Sequence, residues 1–110
     1  MLEKILTDME TSVAETRTSL EEYMKAIGNW KSKNWEADVR KAKLKVVVAV
    51  ANGRIHLKAL EAEMTNLAGT GAGRKEIADK LMRISNTQER LKQLLVKAEE
   101  LIAEELVQAT

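Results

Sequence analysis

Few residues of this chain are equipped for chemistry. His56 is its single histidine, there is no cysteine, and no Glu-x-x-His pair occurs. Transition-metal sites gather three or four nitrogen, sulfur or oxygen ligands. One imidazole on the flank of a helix therefore predicts an ordinary surface histidine, with no metal and no cofactor. A lone histidine near carboxylates is common on helical surfaces, and a helix–helix seam offers no substrate cavity. The expectation is a protein that is not an enzyme.

Gly69, Gly71 and Gly73, followed by Arg74 and Lys75, have the residue types of a phosphate-cradling loop at a helix N-terminus. The GxxxxGK[ST] spacing is missing, however, and no strand-like segment precedes the glycines. They read as a flexible linker between helices.

The most distinctive local feature is Trp30 and Trp35 among Lys31, Lys33, Arg40, Lys41, Lys43 and Lys45. Indoles beside cations can stack on bases while the cations meet phosphates, or can form an interfacial membrane patch. The plainer expectation is that both indoles plug one end of a helical bundle and the cations pair with acidic residues of a third helix.

The elements that position these residues follow from composition and period. Ala, Leu, Glu, Lys and Arg supply 59 of 110 residues, and there is no proline or phenylalanine. That is the composition of long helices packed through thin Leu/Ile/Val/Met/Ala seams. No apolar run approaches the roughly 18 residues of a membrane span. The N-terminus lacks a signal-peptide core, and missing cysteine suits a reducing compartment, so the expected location is cytoplasmic. Net charge is +1 but uneven: residues 1–30 carry −3, residues 31–60 carry +6 and residues 61–110 carry −2.

Apolar residues from Leu2 through Leu6, Met9, Val13, Leu20, Tyr23 and Ile27 to Trp30 alternate four and three apart, with Thr16 as a polar insertion. This predicts a first helix over about 2–27, stopped by Gly28-Asn29, with Ser32 or Asn34 capping the next. A second helix over about 35–68 carries a stripe from Val39, Val46 and Val50 to Leu60, Met64 and Leu67. A third, over about 74–107, runs from Ile77 and Leu81 to Leu95 and Ile102, with Gln88 as its polar seam position. The predicted fold is one all-α domain over residues 1–110, a three-helix antiparallel (up-down-up) coiled-coil-like bundle that pairs into a larger one. A continuous rod through residues 28–34 is the competing layout, since one glycine costs only about 1 kcal/mol. In the bundle, the basic Lys31–Lys45 block lies near the acidic Glu99–Glu105 block.

The anomaly is a second stripe on the central helix. Leu44, Val48, Ala51, Ile55, Ala59 and Ala62 lie opposite the first, and Val46–Ala51 has no polar side chain at all. Two opposed stripes need cover on both sides. The expected function is a non-enzymatic interaction, adaptor or assembly module that docks helices. Its partner is a second copy in a homodimer, another helical protein, or both. The alternative is a nucleic-acid-binding accessory protein using residues 30–45.

Overall fold

The computed structural model describes the backbone of residues 1–109 and the side chains through residue 103. The chain is all-helical: α1 spans Leu2–Gly28, α2 Trp35–Ala68, α3 Gly71–Asp79 and α4 Leu81–Ala109. No strand occurs among the described residues, although the valine run in α2 has β-branched side chains that favour strands locally. The molecule is elongated, 60 × 22 × 17 Å, as a 34-residue α2 requires at about 1.5 Å per residue.

α1 and α2 pair antiparallel. The Trp35 indole N–H of α2 donates to the Ile27 carbonyl at 3.0 Å, Lys45 reaches Glu22 at 3.6 Å, and His56 meets Ser12. The turn at residues 29–34 makes this possible, and Ser32 Oγ accepts from the Asn34 N–H within it at 3.3 Å. α1 buries its seam from Leu2 to Tyr23. Val39, Val46, Val50 and Leu60 meet it from α2, with Ile84, Leu91, Leu95 and Ala98 from α4. Gly53 permits the close approach of α2 and α4, because a Cβ there would lie 2.9 Å from Leu95 Cδ2.

Three expectations are corrected. There are four helices rather than three, because the last segment breaks at Lys80. No glycine or proline marks the break. α3 packs chiefly on α2 whereas α4 packs on both α1 and α2, and charged pairs bridge the junction. Lys80 reaches Glu3 at 3.3 Å and Glu76 at 3.7 Å, while Arg83 binds Glu3 at 2.7 Å and also Glu10. Arg83 foremost, then Lys80, holds the Glu3 carboxyl below its ordinary range, and Glu3 and Glu10 hold the guanidinium more basic than usual. Leu81, placed in the seam by its spacing, is consequently exposed.

The glycine segment is the second correction. Only Gly69 and Thr70 separate α2 from α3, and Thr70 Oγ1 caps α3 by accepting from the Gly73 N–H at 2.9 Å. Gly73 is buried against α2: a Cβ there would lie 2.1 Å from the Leu67 carbonyl oxygen. The glycines thus serve a tight helix–helix corner, and one of the N–H groups a phosphate would need is already taken.

The third correction concerns charge pairing. Glu99 pairs with Arg54, and Lys45 with Glu22 of α1, rather than the Lys31–Lys45 block meeting Glu99. Glu104 and Glu105 lie outside the described side chains.

Candidate helix-docking interface

α1 and α4 cover one side of α2 and leave the other bare. Leu44 and Ile55 are each 63% exposed and Val48 is 51% exposed. Ala51 and Ala62 are exposed as well, while Ala59, expected in the same stripe, is half-buried. At about 100° per residue, Ala59 lies some 40° from Ile55 around the cylinder, towards α1. The exposed Ala37 extends the stripe one heptad toward the N-terminus, a position the sequence reading missed. Positions 37, 41, 44, 48, 51, 55, 58 and 62 alternate four and three apart, the spacing of a coiled-coil seam. The seam runs about 37 Å at 1.5 Å per residue.

Two open hollows flank its N-terminal half. One, of about 590 Å³, lies between α1 and α2, with Ala14, Thr18 and Ser19 facing Leu44, Val48 and Ala49. The other, of about 560 Å³, has Ala37, Leu44 and Val47 as its apolar surface and Arg40, Lys41 and Lys43 around it. Lys41 and Lys58 occupy the seam itself and are exposed. Neither they nor Arg40 and Lys43 have a carboxylate within 4 Å among the described residues.

The structure separates the two tryptophans. Trp30 does not plug the bundle: it is 68% exposed, with Lys31 Nζ 5.3 Å from its ring centroid. It lies in the turn past the end of α1. Trp35 is half-buried and its N–H satisfies a terminal carbonyl of α1, so only Trp30 offers an open ring. Lys33 is exposed in the same turn. Of the cations from residue 40 to 45, Arg40, Lys41 and Lys43 border one hollow, whereas Lys45 lies about 160° round the helix from Lys43 and pairs with Glu22.

His56 acquires a partner that sequence reasoning did not name. Its Nδ1 hydrogen-bonds with Ser12 Oγ, and Ser12 is 2% exposed inside the α1–α2 seam. The pair resembles a base and a nucleophile, but a hydroxyl sealed between two helices has no room for a substrate carbonyl. It serves as a buried polar contact that sets the register of α1 on α2. Only the antiparallel register places residues 12 and 56 together, so no local signal announces it. Among the described residues, no group of three or more potential ligands can hold a metal ion, and no helix is long and apolar enough to cross a membrane.

Comparison of the chain with protein-family models, curated proteins and solved structures finds no match, and the functional reading rests on the geometry of this face.

Proposed function

We propose that this chain is a non-enzymatic interaction or assembly module that receives a partner helix along the outer face of α2. One observation carries the reading. A heptad-spaced seam of Ala, Leu, Val and Ile, interrupted only by Lys41 and Lys58, faces water on a helix whose opposite side is already covered. Isolated exposed apolar residues need no explanation, but a contiguous stripe marks an interaction surface. A second copy would fill it in a symmetric homodimer, antiparallel α2 on α2′. Another helical protein would fill it equally well in shape. The lack of cysteine fits the cytoplasm as the place of action.

The alternative, nucleic-acid binding, draws on the exposed indole of Trp30 beside Lys31 and Lys33. It is the weaker reading because Trp30 is the one exposed indole, Trp35 being held against α1, and Lys45 is turned away to Glu22.

Val48→Glu tests the main reading. Val48 is half exposed, so the variant should fold with stability within about 0.5 kcal/mol of the parent. It should also lose every helix-mediated association detected by sedimentation velocity, with a second copy or with an added amphipathic helix. Glu21→Lys, on the solvated face of α1, should lose none. Associations insensitive to Val48→Glu, or salt-steep binding of a single-stranded oligonucleotide that Trp30→Ala abolishes, would displace the helix-docking reading.

A further inference from the structure

Building on the docking reading, we propose that the occupant of the outer α2 face is an acidic amphipathic helix of another chain rather than a second copy of this one. The apolar positions supply shape and the cations supply the choice. Leu44, Val48 and Ile55 are the projecting side chains, and Ala37, Ala51 and Ala62 are the low points that let another helix come close. Spacing of this kind fits a helix better than a flat lipid surface, which would favour the aromatic anchors this seam lacks.

Self-pairing is opposed by the charges within the seam. In the antiparallel register that uses its whole length, Val48 faces Ala51′ and Leu44 faces Ile55′, which sets Lys41 against Lys58′. A slip of one heptad either way puts Lys58 over Val48′ or Lys41 over Ala51′. Parallel pairing sets each lysine against itself. Like charges held together at an interface exclude partners. On one flank Arg40 and Lys43 form no ion pair among the described residues, which leaves them to meet carboxylates of a partner. A helix of about four heptads, apolar at its seam and bearing glutamate or aspartate opposite Lys41 and Lys58, satisfies every one of these positions.

The test uses the full chain and two synthetic peptides of about 28 residues. They share one Leu/Ala seam, and one has glutamate and the other lysine on its flanks. Binding is read by fluorescence anisotropy. The glutamate peptide should bind about tenfold or more tighter than the lysine peptide, and salt should narrow the gap. The double variant Lys41→Glu/Lys58→Glu should invert the preference, and Val48→Glu should abolish binding of both. Circular dichroism verifies that each variant is folded, and Ile55→Gln replaces Val48→Glu if that chain fails to fold. Equal binding of the two peptides, no inversion by the double variant, or a Val48-dependent dimer that excludes both peptides overturns the acidic partner while leaving helix docking standing. Val48-dependent binding to phosphatidylglycerol vesicles with no peptide binding overturns both. So does the absence of any association that Val48→Glu changes.

Discussion

Val46 and Val48 are two residues apart in one helix, have the same side chain, and meet opposite fates. Val46 is fully buried between α1 and α4, and Val48 stands half in water. The same contrast runs along α2, with Val39, Val50 and Leu60 inside and Leu44, Ala51 and Ile55 outside. Hydrophobicity therefore does not decide burial here. Burial depends on whether a neighbouring helix is present, and α1 with α4 can line only about half of the α2 cylinder. The inner face is the means of folding, and the outer face is left for a partner.

Truncation should separate the faces most sharply. Leu60→Ala should cost about 2–5 kcal/mol, since its side chain is wholly enclosed. Ile55→Ala should change the stability of the isolated chain by no more than about 0.5 kcal/mol. Urea titration of both variants measures the gap. Comparable losses would mean that Ile55 is already covered in solution.

A smaller effect should come from within the α1 seam. Thr16 Oγ1 and Tyr23 Oη are buried and have no hydrogen-bond partner among the described residues. An unsatisfied hydroxyl bears its desolvation cost without return. Thr16→Val keeps the shape and should raise stability by about 1 kcal/mol. A loss on the same titration would show that the hydroxyl has found a partner, such as water.

The smallest effect belongs to the exposed charges at the α1–α4 corner. The carboxyl of Glu3 is held below its ordinary range by Arg83 and Lys80. Its contribution is thus complete above the ordinary carboxylate pKa and fades as pH falls through the lowered one. The parent should slightly exceed Glu3→Gln in urea midpoint at neutral pH, and the two should converge in acid. Because solvent screens the cluster, the difference should also shrink with salt. A difference that grows in acid would have the wrong sign for this cluster.

Much of the fold is legible residue by residue. The α1 seam from Leu2 to Tyr23 is buried where the four–three alternation places it, and α1 ends at Gly28 as the Gly-Asn pair implies. The outer stripe of α2 was visible too, apart from Ala37 and the half-covered Ala59. Other features had no local sign. Lys80 is an ordinary helix residue, yet it ends α3. Glycines that look like a linker start a helix. Two tryptophans in similar surroundings separate into one bound to the Ile27 carbonyl and one left exposed.

The sequence by itself determined that this chain is helical, where α1 and α2 begin, and that α2 has two apolar sides. Those properties rest on propensity, capping and a period of three to four residues, all contained within a few turns of chain. Only the tertiary structure decided where the last segment breaks, and that Ser12 meets His56, Arg54 meets Glu99 and Arg83 meets Glu3. Each of these depends on the register between helices distant in sequence, and register is a property of the packed assembly that no single segment carries.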